Sequence, residues 1–290
     1  MLNEFAEKNA LDQSFIHTAQ KWFIPLAEQI EVHHDSANGP LFVGVNGAQG
    51  SGKSTLTAFL SDYFSRRCGL SVANLSLDDF YLSRQQRAEL ARTVHPLLAT
   101  RGVPGTHDTK SMADVLMALR DSTDVALPRF DKSMDDPVPR QQWSHCSHAD
   151  IVLFEGWCWG VRPQTANALL QPVNALEAEE DPNGVWRRYV NQVLATDYVP
   201  LYAHMDHWVM LKAPSFACIY QWRLEQEHKL AARMGSDAPG IMSAEQVKRF
   251  IQHYQRLTEH GLATLPFHCD WVYSLNTHRH INSCHQRGKD

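Results

Sequence analysis

Short, mainly apolar runs at 41–45, 70–77, 151–154, 207–211 and 271–275 punctuate the chain, and each is closed by glycine or by acidic and polar residues. Runs of that length predict five buried strands. Between them apolar residues return every three to four positions, which predicts helices around 54–66, 108–121, 184–197, 214–234 and 243–260. Strands without polar alternation, separated by helices, predict an α/β chain with a parallel sheet covered on both faces. Ahead of the first strand, Phe15, Ala19, Trp22, Phe23, Leu26 and Ile30 recur at helical spacing, giving an amphipathic helix bent at Pro25 that packs on the rest of the protein. The segment 175–184, with Glu177, Glu179, Glu180 and Asp181, reads as an acidic surface loop. There is no internal repeat, so 1–290 reads as one domain with an N-terminal helical extension over 1–38.

The junction of the first strand with the following helix changes the picture most. Gly47-Ala48-Gln49-Gly50-Ser51-Gly52-Lys53-Ser54 fits G-x-x-x-x-G-K-[ST], with an apolar strand before it and Thr55-Leu56-Thr57 opening a helix after it. Glycines allow a backbone that turns successive N–H groups toward phosphate oxygens. Residues 47–55 therefore predict a nucleotide-binding cradle, in which Lys53 reaches the β- and γ-phosphates and the Ser54 hydroxyl ligates Mg²⁺.

Composition narrows the class further. The 290 residues are 43% hydrophobic and 20% charged, enough apolar content for a sizeable core. A net charge of −5 offers no basic stripe for nucleic acid and no polybasic patch for an anionic membrane. No apolar run is long enough to span a bilayer, and residues 1–5 lack the pattern of a signal peptide, so the expected location is cytoplasmic. The six cysteines show no C-x-x-C pair and read as reduced thiols, with Cys158 and Cys218 packed. His278, His280, Cys284 and His285 are spaced too irregularly for a zinc site and read as a solvated tail.

In parallel sheets ligands collect beyond the carboxyl ends of the strands. Those ends here carry the cradle, Asp78-Asp79 and Glu155-Gly156. Asp78 is expected to face the terminal phosphate and to orient an acceptor hydroxyl, with helix capping as the alternative. Glu155, ending an apolar strand, fits a magnesium-holding acid, and Asp79 is counted with Ser54 and Glu155 on the metal side or else as structural. Tyr81 stands beside these acids. Arg101, Arg129 and Arg140 lie in Gly- and Pro-containing loops and suit a small anionic acceptor, since a guanidinium grips a carboxylate through paired hydrogen bonds. Arg223, Lys229 and Arg233 on the helix near 214–236 suit a lid closing over phosphates, with Arg223 a candidate to neutralise transition-state charge. Trp157 and Trp159 either wall the acceptor pocket or pack in the core. The absence of an N-K-x-D guanine signature favours small-molecule phosphotransfer.

Taken in order, GAQGSGKST, LSLDDFYL, RGVPGTHD, LPRFDKS, VLFEGWCWG and YQWRLEQEHKL resemble the D-glycerate 3-kinase family, and more distantly the uridine kinase, phosphoribulokinase and pantothenate kinase group. The resemblance implies a three-layer P-loop fold, a five-stranded parallel sheet in the order 2-3-1-4-5 with a helical lid, ATP with Mg²⁺, and transfer to the 3-hydroxyl of D-glycerate. It also implies that Asp78 is the catalytic base and that Arg223 belongs to the lid. A kinase of the same fold acting on pantothenate, a nucleoside or a sugar acid, and a nucleotide-dependent regulator that transfers nothing, are the alternatives.

Overall fold

A computed structural model describes residues 1–234 and 242–288. The N-terminal segment forms α1 (Leu2–Lys8), α2 (Gln13–Thr18), a π-helical turn over Ala19–Phe23 and α3 (Ile24–Asp35). The expected bend at Pro25 falls where that turn passes into α3, with the proline in the first turn, where no amide is needed. Then follow β1 (Leu41–Gly47), α4 (Lys53–Tyr63), β2 (Val72–Ser76), α5 (Arg84–Thr93) and α6 (Thr109–Arg120). Two small antiparallel ribbons come next, from β3 (Val125–Leu127), β4 (Phe130–Asp131), β5 (Asp136–Pro137) and β6 (Ser144–Cys146). The chain closes with β7 (Ile151–Gly156), α7 (Ala175–Glu180), α8 (Val185–Val193), β8 (His207–Lys212), α9 (Phe216–Met234), α10 (Ala244–Thr264), β9 (Trp271–Leu275) and β10 (Ile281–Gln286).

The main sheet has six strands in the order β10-β9-β8-β1-β7-β2. All neighbouring pairs are parallel except β9 with β10. The expectation of five strands is therefore corrected. The sixth is the segment around Cys284 and His285, read from the sequence as a solvated tail; it pairs antiparallel with β9 through a tight turn, which leaves its alternating polar side chains on an edge. Among the described residues there is no group of three or more His, Cys, Asp or Glu arranged to hold a metal ion.

Alternate residues of the central strands feed two cores, one on each side of the sheet. Phe42, Leu75, Val152, Phe154 and Met210 point into one; Val43, Val45, Leu153, Val209 and Leu211 point into the other. Unbroken apolar runs are thus the signature of strands buried on both faces. The N-terminal extension belongs to the second core. Phe5, Phe15 and Phe23 surround Phe59 of α4 with ring centroids 5.6, 6.0 and 5.8 Å away, and each buried ring contributes about 2 kcal/mol.

The acidic stretch 175–184 is not a surface loop. Asn174 caps α7, and Glu177 is fully buried in a two-pronged pair with Arg256, at 2.7 and 2.6 Å. Asp181 is buried beside Arg187, at 3.0 Å. Counting charges in the sequence missed this because the partners lie far along the chain or on the next helix. Cys158 is buried as expected, whereas Cys218 is only partly so. Among the described residues no helix is long and apolar enough to cross a membrane.

Candidate active site

A cleft of about 1080 Å³ runs along the carboxyl ends of the strands. Its floor is the loop between β1 and α4. Gly50 and Gly52 hold φ of +76° and +93°, left-handed values that residues with a Cβ rarely adopt. Gly52 is the residue at which α4 begins, and no side chain caps that terminus. At Gly47 a Cβ would stand 2.5 Å from Ser51 Oγ, so the close turn itself demands glycine. The Gln49 and Ser51 side chains in this loop carry buried oxygens with no hydrogen-bond partner.

Four polar groups meet above the floor. Ser54, in the first turn of α4, donates to Glu155 Oε1 at 2.7 Å, and Ser76 from the end of β2 donates to the same oxygen at 3.2 Å. Lys53 Nζ stands 3.7 Å from Glu155 Oε2, an oxygen that is buried without a hydrogen-bond donor. Parallel pairing of β1 with β7, and of β7 with β2, sets these residues side by side although they are far apart in sequence.

Asp78 sits two residues beyond β2, on a 3₁₀ turn over Leu77–Phe80, and its own amide donates to the Ser76 hydroxyl oxygen at 3.3 Å. Tyr81 donates to its Oδ1 at 2.7 Å, and Lys132 Nζ lies 2.6 Å from its Oδ2. Burial raises the Asp78 pKa, but the nearby charges of Lys132 and Lys53 and the two hydrogen bonds outweigh it and bring the group down to about 2. Asp78 is therefore an anion at neutral pH. Lys132, in the loop between β4 and β5, escaped the sequence reading because nothing local marks a lysine as facing an aspartate 54 residues upstream.

The other expected residues divide. Asp79 lines the cleft, but its carboxylate is held at 2.7 Å by Arg129, and burial nonetheless raises its pKa. That pairing matches the structural one of the two roles expected for Asp79. It also occupies Arg129, which does not line the cleft. Arg140 is exposed over the Trp143 ring, 5.7 Å from its centroid, and does not line the cleft either. Of the three arginines expected at an acceptor, only Arg101 lines the cleft, ion-paired with Asp135 and resting over Phe130. Trp157 forms part of the wall and donates to the Gly102 carbonyl at 2.9 Å; Trp159 is core, stacked on Phe154.

Tyr81 is stacked on His107, with centroids 4.5 Å apart, and His107 Nδ1 lies 2.6 Å from the Tyr198 hydroxyl. The other face of the cleft is α9. Trp222 packs so tightly against the loop that a Cβ on Gly50 would come within 3.0 Å of it. Arg223 and Lys229 line the cleft, with Arg223 paired to buried Glu227 at 2.7 Å. The side chain of Arg233, and residues 235 and 236 at the end of the expected lid, lie outside the described residues.

No family model matches the chain. The uncharacterised kinase mug58 of Schizosaccharomyces pombe is 36% identical over 236 residues, covering 78% of this chain and 82% of that protein. The chloroplastic D-glycerate 3-kinase of Arabidopsis thaliana is 31% identical over 260 residues; the match covers 84% of this chain and 53%, about half, of that protein. Among solved structures, D-glycerate 3-kinase from Cryptococcus neoformans superposes with a TM-score of 0.75 at 28% identity, over 92% of this chain and 98% of the other. The chain belongs to the D-glycerate 3-kinase family. As a member of that family it is an ATP-dependent phosphotransferase acting on a hydroxyl of a small molecule. The kinase fold accounts for the glycine-rich floor, and the order of strands accounts for the meeting of Lys53, Ser54, Glu155 and Asp78.

Proposed function

We propose that this family member transfers the γ-phosphoryl group of ATP to the 3-hydroxyl of D-glycerate. One observation carries the reading: an ionised, doubly hydrogen-bonded Asp78 shares a single cleft with the Lys53–Ser54–Glu155 cluster, with cations on the acceptor side. D-glycerate itself comes from the names of the two relatives described above.

In this mechanism the loop amides and Lys53 bind the phosphate tail. Ser54 and Glu155 would hold Mg²⁺, whose charge offsets that of the phosphates; their oxygens already converge at 2.7 Å, and Glu155 Oε2 has no donor. Asp78 accepts the hydrogen bond of the acceptor hydroxyl and aims its oxygen, while Tyr81 fixes the carboxylate. A strongly acidic Asp78 is a weak base, which suits a loose phosphoryl-transfer transition state in which position and charge do most of the work. Arg101 and Lys132 bind the acceptor carboxylate. The helix α9, with Arg223 and Lys229, covers the phosphates and excludes water, as one lid of one kinase domain over 1–290.

The test is ADP release with a panel of hydroxy acids, sugar acids, nucleosides and pantothenate. D-glycerate should raise the rate far above hydrolysis and yield 3-phosphoglycerate by phosphorus NMR. A different acceptor that does so alone replaces D-glycerate; no stimulation by any acceptor overturns phosphotransfer.

A further inference from the structure

Arg87, near the start of α5, is 1% exposed and does not line the cleft, yet its guanidinium joins three segments of chain that do. Its Nε donates to the Leu82 carbonyl at 3.2 Å, Nη1 to the Ala99 carbonyl at 3.2 Å and Nη2 to the Asp135 carbonyl at 2.9 Å. Nη2 also lies 2.8 Å from Asp135 Oδ2. Those partners stand one, two and three residues from Tyr81, Arg101 and Lys132, which all line the cleft.

Asp135 passes the hold outward, because its second oxygen, Oδ1, pairs with the Arg101 guanidinium. Its φ is +55°, a left-handed value uncommon for a residue with a Cβ, and Arg87 grips both its carbonyl and its carboxylate there. The surrounding turn is fixed as well. Asp131 Oδ1 accepts from the amides of Ser133 and Met134 at 2.8 and 3.3 Å, and Asp136 Oδ1 accepts from the Arg84 amide, at the start of α5, at 2.9 Å. On the far side the Tyr254 hydroxyl donates to the Arg101 carbonyl at 3.0 Å. Burial raises the Asp135 pKa, but the hydrogen bonds of Arg87 and Arg101 outweigh it and leave the carboxyl below its usual range.

A buried guanidinium is costly to desolvate, and apolar packing of similar volume would stabilise the fold as well. What the pair adds is direction. An unanchored arginine loses much of its rotamer freedom when it grips a ligand, whereas one already held by a fixed carboxylate has little left to lose.

We propose that Asp135 and Arg87 are positioning residues for the acceptor: Asp135 presents the Arg101 guanidinium to the acceptor carboxylate, and Arg87 locks Asp135 in place. The proposal rests on the D-glycerate reading and deepens it. Selection of an acidic acceptor then depends on a chain of guanidinium, carboxylate and guanidinium that runs from the core to the cleft.

The experiment measures KM for D-glycerate, kcat and ATP affinity in the full chain and in Asp135→Asn, Arg87→Lys, Arg101→Ala and the double variant Asp135→Asn with Arg101→Ala, with melting temperatures alongside. In Asp135→Asn the KM for D-glycerate should rise about 10-fold, while kcat and ATP affinity stay within about threefold. Arg87→Lys keeps the charge but loses the fork, and should raise KM in the same direction. In Arg101→Ala the KM should rise by at least as much, and adding Asp135→Asn to it should change KM by less than about twofold, because Asp135 acts only through Arg101. An unchanged KM in Asp135→Asn, or effects of the two substitutions that multiply, overturns the proposal. So does a lowered KM, which would mean that Asp135 competes with the acceptor for Arg101. Failure of D-glycerate to stimulate the unaltered chain would instead overturn the reading beneath it, and an unchanged KM in Arg101→Ala would remove Arg101 from the acceptor site.

Discussion

Lys132 Nζ lies 2.6 Å from Asp78 Oδ2, so the carboxylate aimed into the cleft is held by a cation supplied from a loop 54 residues away. The lysine is more than half exposed, and its pairing can reorganise when an anionic acceptor arrives. Two roles meet in that one contact: keeping Asp78 ionised, and providing charge where an acceptor carboxylate would sit.

Removing the cation separates those roles. In Lys132→Ala the KM for D-glycerate should rise about 10- to 100-fold, the range for a lost charge-assisted hydrogen bond. Burial then acts on Asp78 with less opposition, so its pKa rises and the acidic limb of the kcat profile moves to higher pH. Arg140→Ala, which alters an exposed residue away from the cleft, should leave KM within about twofold. Steady-state kinetics across pH would check both, and equal effects of the two substitutions would remove Lys132 from the acceptor site.

Asp78→Asn keeps the shape and loses the charge. Turnover should drop by about 100-fold or more, while ATP affinity measured by calorimetry stays nearly constant. Undiminished turnover would exclude Asp78 from the chemistry.

Gly50→Ala probes the floor of the cleft. Its φ of +76° strains any residue with a Cβ, and the new methyl would meet Trp222 Cβ at 3.0 Å, so both the loop and the seat of α9 must shift. ATP binding should weaken by at least about 10-fold, with the fold preserved by circular dichroism.

Stability should fall on acidification through a group outside the reacting cluster. Burial holds the His107 pKa at about 3 against an ordinary 6.5, and the slight opposing pull of Asp78 does not offset it. The unfolded chain takes up that proton first, so the contribution is complete above about pH 6.5 and is lost as pH falls from there toward 3. His253, brought down to about 4 by burial, acts in the same direction over 6.5 to 4. Melting temperatures of the full chain should decline over that window. In His107→Gln the decline should be shallower, and an identical slope would show that the buried imidazole does not drive it.

The sequence by itself determined the parallel strands, because burial on both faces demands unbroken apolar runs, and the phosphate floor, because Gly47, Gly50, Gly52, Lys53 and Ser54 are neighbours whose spacing is itself the geometry. Strand ends likewise brought Asp78 and Glu155 to the cleft, since a carboxylate after a buried strand has one place to go. Only the tertiary structure decided which cations line the cleft. Arg101 and Lys132 reach the cleft, while Arg129 is taken by Asp79 and Arg140 stands outside, a distinction between residues of similar composition and loop context. It also turned an acidic stretch into α7, a polar tail into β10 and an N-terminal helix into one wall of the cleft. Local pattern reports how a segment prefers to fold; the partner of a charge, an edge or an apolar side chain is set by chain crossings that bring distant residues together, and no window along the sequence contains both members of the pair.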